Sequence, residues 1–295
     1  MSKPCAPLLH INWNLSYACR FDCAHCYSRD RASSTEELDL ERKLLVADNI
    51  VRSGIFDVNL GGGEPLDCPD LDEVARRLSD GNVSVSICTN GWDAGPDDAK
   101  RLLDCGVNRV YISLDGACAS THDALRRHPG AFDSAVAAID VYRGAGLQVG
   151  ISTTITRTSF DEMGDIAVLA ETHGAAGIEF KRLKLQGNAS GRHDLELSPE
   201  QEEELAETFP EIRGSVSIPV SLIYDFEGIE GIDEGCPCGR SVLAIMADGA
   251  ICPCVYSKMP LGNAAVDAID GIWFGSPELD RFRNLGMCPG LGLKP

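Results

Sequence analysis

ACRFDCAHCYS, residues 18–28, sets Cys19, Cys23 and Cys26 in a C-x3-C-x2-C run. It follows LLHINWNL (8–15), which reads as a strand. The run therefore falls in the loop after a first strand, where a βα barrel places its active-site groups. Three close thiolates suit three irons of a [4Fe–4S] cube and leave the fourth iron open to an outside ligand. The competing reading is zinc, which favours paired C-x2-C knuckles and a fourth ligand. His25 is adjacent, but its ring would point away from the loop that the flanking cysteines share.

Outward from this run, strand-like and helix-like segments alternate, which argues for a parallel α/β architecture. Residues 37–53 repeat apolar positions at helical spacing (Leu38, Leu40, Leu44, Leu45, Ile50, Val51). IFDVNLGGG (55–63) is a strand ending in a glycine turn, and CPDLDEVARRLS (68–79) opens a helix at Pro69 and Asp70. VSVSICTNG, NRVYISLDG, LQVGISTTI and GIEFKRL read as further strands, with helices over 96–106, 132–145 and 160–173 between them. Six such units end near residue 185, whereas a closed eightfold barrel takes about 250 residues. A partial (βα)6 barrel over 1–190 fits, and periodicity alone leaves a doubly wound sheet open. Residues 191–230 form a connecting helix/strand segment, with Ser198-Pro199 opening the helix. From 231 to 295 Gly, Pro and Cys become dense and Asp248-Gly249 signals a hairpin, so a small α+β domain is expected there.

The net charge of −19 disfavours nucleic acid and anionic membranes and suits a polycationic ligand. No run of 18 apolar residues and no signal-peptide pattern is present, so a cytoplasmic location is expected. Thirteen cysteines, an odd number, fit poorly with a disulfide framework in a reducing compartment. Clustered ones are read as metal ligands. Cys5, Cys68, Cys88, Cys105 and Cys118 lack ligand spacing and are read as buried fillers.

The Cys19, Cys23, Cys26 run resembles the cluster motif of the radical SAM superfamily. So do GGGEP (61–65), TNG (89–91), SLDG (113–116) and ISTTI (151–155) at strand ends over about residues 8–185. The resemblance implies that the three cysteines hold a [4Fe–4S] cluster whose open iron chelates S-adenosylmethionine. It implies that Gly61, Gly62, Gly63 and Glu64 meet the methionine end, and that Thr89, Asn90, Ser113, Asp115, Ser152 and Thr154 contact the rest of the nucleotide. An electron donor such as flavodoxin or ferredoxin is implied as a partner.

The order Cys236, Gly249, Cys254, with Gly262, Asn263 and Trp273 beyond, is similar to the auxiliary-cluster domain called SPASM in its long form and twitch in its short one. A twitch-like domain with one auxiliary [4Fe–4S] cluster is implied, with Cys236, Cys238, Cys254 and Cys288 as its candidate ligands. Leu291 stands where a further ligand is usual, so the fourth ligand stays open between Cys238, Cys252 and none. A zinc ribbon is the alternative. Cys252 is read either as that ligand, as a buried cysteine, or as a free thiol that returns a hydrogen atom to a substrate radical and inverts a stereocentre.

With the acidic charge, the last reading resembles the neomycin epimerase type: an aminoglycoside epimerase acting on a small cationic amino sugar. The alternatives are a dehydrogenase of an amino-cyclitol and a maturase of ribosomally made peptides. The maturase ranks lower because only 18 residues precede Cys19, too few for a peptide-recognition domain. A non-enzymatic iron–sulfur or zinc module ranks last.

Overall fold

The computed structural model describes residues 7–32, 36–223 and 237–284. In chain order the elements are β1 (His10–Ser16), α1 (Arg29–Ala32), α2 (Leu40–Arg52), β2 (Asp57–Gly62), α3 (Leu71–Asp80), β3 (Ser84–Thr89), α4 (Pro96–Asp104) and β4 (Val107–Ser113). Then come α5 (Ala119–Arg126), α6 (Ala131–Gly144), β5 (Gln148–Ile155), α7 (Met163–Thr172), β6 (Ile178–Arg182), α8 (Pro199–Ser215) and β7 (Val220–Ile223). The chain ends in β8 (Val242–Ile245), β9 (Ala250–Cys252), β10 (Gly262–Asn263), α9 (Ile269–Gly275) and α10 (Pro277–Asn284).

One sheet runs β10-β9-β8-β1-β2-β3-β4-β5-β6-β7. Every pair from β8 to β7 is parallel, and only β8–β9 and β9–β10 are antiparallel. Strands β1 to β7 lie side by side in sequence order. That order decides between the two architectures, because a doubly wound sheet reverses direction at a switch point. The fold is a partial barrel.

The strands mostly alternate, although Trp13 and Thr89 also reach the cavity wall. Ile11, Trp13 and Leu15, Val58 and Leu60, Val85 and Ile87, Val110 and Ile112, and Ile178 and Phe180 are buried in the main apolar core. Their neighbours His10, Asn12, Asn14, Asp57, Asn59, Ser86, Tyr111, Glu179 and Lys181 line the concave side. A closed barrel fills its interior with branched apolar residues, whereas this one keeps a polar bore.

Three features go beyond the sequence expectation. Helix α5 separates β4 from α6, and the strand of the connecting segment, β7, joins the barrel sheet in parallel beside β6. The C-terminal hairpin extends the barrel sheet, since β8 pairs with β1 from His10↔Val242 to Trp13↔Ile245. Helix α2 reinforces that junction: the buried Asn49 donates to the carbonyls of Ala264 at 2.8 Å and Asp267 at 2.7 Å. The expected boundary at 231 lies outside the described residues. The expected turn is present: Gly249 has φ +83°, and its N–H donates to Met246 O at 2.8 Å. Ser198 and Gln201 cap α8 reciprocally, at 3.2 and 3.0 Å. No helix among the described residues is long and apolar enough to cross a membrane.

The glycines closing β2 have a steric reason. A Cβ on Gly63 would lie 2.1 Å from Ala18 O, and one on Gly62, at φ +110°, 2.4 Å from Ser16 O. Gly63→Ala should therefore cost at least the ~1–3 kcal/mol typical of overpacking, read as a fall in the urea midpoint. Gly144→Ala, with nothing within 4 Å of the new methyl group, should be neutral or slightly stabilising.

Candidate functional site

The cysteine loop joins β1 to α1 and is held from several sides. Gly63 N–H donates to Ser16 O at 2.7 Å and Glu64 N–H to Ala18 O at 2.8 Å. Ala24 N–H donates to Leu125 O at 2.7 Å. Asn188, after β6, donates its backbone N–H to Cys26 O at 2.9 Å and its side-chain amide to Cys23 O at 2.9 Å and Asp22 Oδ1 at 2.8 Å. Gly187 has φ +58°, and a Cβ there would sit 2.2 Å from Cys26 O. Phe21 stacks on His128 and meets Trp92 edge-on.

Cys19, Cys23 and Cys26 are unbridged and line one cavity of ≈ 400 Å³. Burial pushes the Cys19 thiol up to about 11. Burial also raises Cys23, against the pull of the Arg126 cation. Among the described residues no three His, Cys, Asp or Glu side chains converge on a point that would hold a single ion. Thiols set apart around a wall suit a cube, whose irons are separate corners.

Gly61, Gly62, Gly63, Glu64, Thr89, Asn90, Ser113, Ser152 and Thr154 line the same cavity. Glu64 is buried and accepts from Thr89 Oγ1 at 2.7 Å, Asn90 N at 2.8 Å and Leu66 N at 3.1 Å. Burial pushes its carboxyl up to about 7, although these three donors favour the charged form.

Asp115 is a correction: it is fully buried and does not line the cavity. Its Oδ1 accepts from Thr154 N at 2.8 Å. Its Oδ2 faces Arg126 Nη2 at 2.6 Å and His25 Nε2 at 3.2 Å. The Arg126 contact is an ion pair. Burial alone would raise Asp115, but Arg126 and His25 outweigh it and hold the carboxyl far below the carboxylate range. Its backbone N–H donates to His122 Nδ1 at 3.0 Å. Burial and the Arg126 cation depress His122 to about 4.

Arg126 escaped the sequence reading. It lines the cavity, brings Nη1 to 3.9 Å from Cys23 Sγ, and carries a buried Nε with no partner among the described residues. That orphan donor fits an acceptor on a bound cofactor. Cys88 is a second correction: it is no buried filler but lines the cavity, with Sγ 3.7 Å from Ser113 Oγ. Cys68 and Cys105 are buried as expected, and Cys118 is exposed.

In the C-terminal segment Cys238 and Cys254 are both buried, at 5% exposure. Cys238 bridges to Val242, and Cys254 follows β9. Cys5, Cys236 and Cys288 lie outside the described residues. Cys252 is 2% exposed, packed with Ala244 and Met246, and absent from the cavity wall. Burial pushes its thiol up to about 12. Asn263 donates to Asp248 O at 2.9 Å across the turn, and Arg283 lies 4.3 Å over the ring of the buried Trp273.

A family model described as the radical SAM superfamily matches residues 13–170, and a SPASM iron–sulfur cluster-binding domain matches 236–290. AdoMet-dependent heme synthase of Methanosarcina barkeri is 28% identical over 301 residues, 95% of this chain and 85% of its own. Mycofactocin maturase MftC of Mycolicibacterium smegmatis is 31% identical over 296 residues, 96% of this chain and 75% of its own. Streptococcus suis SuiB, crystallised with the precursor peptide SuiA, shares the fold with a TM-score of 0.74 at 14% identity, covering 94% of this chain and 67% of its own.

Two outcomes check this site. Cys23→Ala should lower iron content after reconstitution and abolish cleavage of S-adenosylmethionine, while Cys105→Ala changes neither. Glu64 tests the buried carboxyl in metal-free protein. The folded chain holds its proton more tightly than the unfolded chain. Its stabilisation is therefore complete below the ordinary value of 4.5 and is lost as pH rises through about 7. Relative to Glu64→Gln, the native sequence should lose urea stability between about pH 4.5 and 7. A constant difference across that window would contradict the assignment.

Proposed function

This chain belongs to the radical SAM superfamily, and from that membership we propose that it matures a ribosomally made peptide. It uses S-adenosylmethionine on a [4Fe–4S] cluster and carries an auxiliary [4Fe–4S] cluster in its C-terminal segment. When bound, the first cluster and S-adenosylmethionine supply a 5′-deoxyadenosyl radical that takes a hydrogen atom from the substrate.

In this reading the chain's own residues position and enclose. Cys19, Cys23 and Cys26 hold the first cluster at one end of the bore. Gly61 to Glu64, Thr89, Asn90, Ser113, Ser152 and Thr154 wall the methionine and nucleoside, with Arg126 Nε offering a donor. The substrate enters the polar bore beneath them, where Asn12, Asn59, Ser86, Tyr111 and Lys181 face inward from β1, β2, β3, β4 and β6. Cys236, Cys238, Cys254 and Cys288 are proposed for the auxiliary cluster, and a flavodoxin- or ferredoxin-class protein for the electron.

The observation that carries the peptide reading is the identity with the mycofactocin maturase, which runs along almost this whole chain. The similarity spans barrel and hairpin alike, so the short stretch before Cys19 no longer weighs against a maturase.

The amino-sugar epimerase reading loses its two supports. Cys252 is buried away from the cavity. The cavity wall, despite the acidic chain, carries Arg29, Arg126, Lys181, Arg182 and Lys184 against Asp57, Glu64 and Glu179. No observation favours the amino-cyclitol dehydrogenase. A second reading, action on a haem precursor, draws on the heme synthase similarity, which covers more of the relative's own length.

The test is anaerobic turnover of reconstituted protein with S-adenosylmethionine, a low-potential reductant and three substrate panels. These are short peptides encoded beside its gene, propionate-bearing tetrapyrroles, and aminoglycosides. The expected result is 5′-deoxyadenosine release stimulated by a peptide, together with a mass change in that peptide. Stimulation by a tetrapyrrole or an amino sugar alone would overturn the reading.

A further inference from the structure

The Asp115–Arg126 pair joins four parts of the site: the end of β4, β5 through Thr154 N, α5, and the cysteine loop through His25. Asp115 is fully buried, and the Arg126 side chain is 11% exposed. A charge pair this deep needs fixed geometry to offset its desolvation. Here it aims one guanidinium nitrogen at a thiol, Nη1 lying 3.9 Å from Cys23 Sγ.

We propose that Asp115 is a positioning residue of the cofactor centre that acts through Arg126: it offsets the charge that Arg126 brings against Cys23, so that the pair sets the reduction potential of the cluster held by Cys19, Cys23 and Cys26. A one-electron reduction adds a negative charge to the cluster. A cation beside a ligand sulfur favours the reduced form, and a carboxylate favours the oxidised one. Arg126 therefore raises the potential and Asp115 lowers it. The inference goes beyond the peptide reading, since it depends only on family membership and holds for any substrate.

The experiment is a reductive titration of anaerobically reconstituted protein without substrate, followed by electron paramagnetic resonance. The signal tracked is the one that changes when S-adenosylmethionine is added. Asp115→Asn should shift the midpoint to less negative potential and Arg126→Gln to more negative potential. The double variant should fall between them. Arg126→Lys, which keeps the charge, should stay close to the native value. Shifts of the same sign in the two single variants, or no shift in an Asp115→Asn protein of native iron content, would overturn the proposal. If Asp115→Asn fails to retain iron, the arginine variants decide, and an unchanged potential in Arg126→Gln overturns it.

Discussion

Strand β1 is hydrogen-bonded along both edges, to β2 on one side and β8 on the other, and everything else hangs from that arrangement. Its odd residues Ile11, Trp13 and Leu15 enter the core. Its even residues enter the bore, and its C-terminal end runs straight into the cysteine loop. A single register therefore fixes the depth of the core, the lining of the cavity and the start of the cluster site. A one-residue slip would turn Trp13 into the bore and Asn12 and Asn14 into the core. The close backbone packing of Gly62 and Gly63 against residues 16–18 transmits that register to the loop.

The site concentrates groups that are costly to bury. Glu64 is held by three donors, and Asp115 by a cation, an imidazole and an amide. Breaking one side of a buried ion pair typically costs about 3–5 kcal/mol. This is why Asp115 belongs to the scaffold of the site and not to its wall. Its carboxylate is already engaged on both oxygens, whereas Arg126 keeps Nε beside the cavity with no partner among the described residues. The two buried charges thus differ in place, the acid within the scaffold and the base on the cavity wall.

Much of this was legible in the sequence. Short cysteine spacing, the glycine turn after IFDVNL and the alternation of strands and helices are local patterns, and each one survives folding unchanged. The caps of α8 and the Asp248-Gly249 turn were legible for the same reason. What was not legible is non-local. Arg126 reaches the site only because α5 folds back across the cysteine loop, and nothing in its surrounding sequence marks it. Cys88 lines the cavity through the parity of β3, which the alternation of Val85 and Ile87 with Ser86 and Cys88 would have revealed. Parity left Cys252 open between three readings because it says which residues share a face but not what covers that face. Ala244 and Met246 do so here. The net charge misled because it averages over a surface whose cavity has the opposite tilt.

The pairing of β8 with β1 has a consequence for how the chain reaches this state. The partner for one edge of β1, near residue 10, is residues 242–245, so during synthesis that edge waits until more than two hundred further residues have been made. Until then the nascent barrel presents open backbone donors and acceptors on a strand flanked by apolar surface, the condition that invites intermolecular pairing. The C-terminal hairpin thus doubles as the cover for that edge of β1.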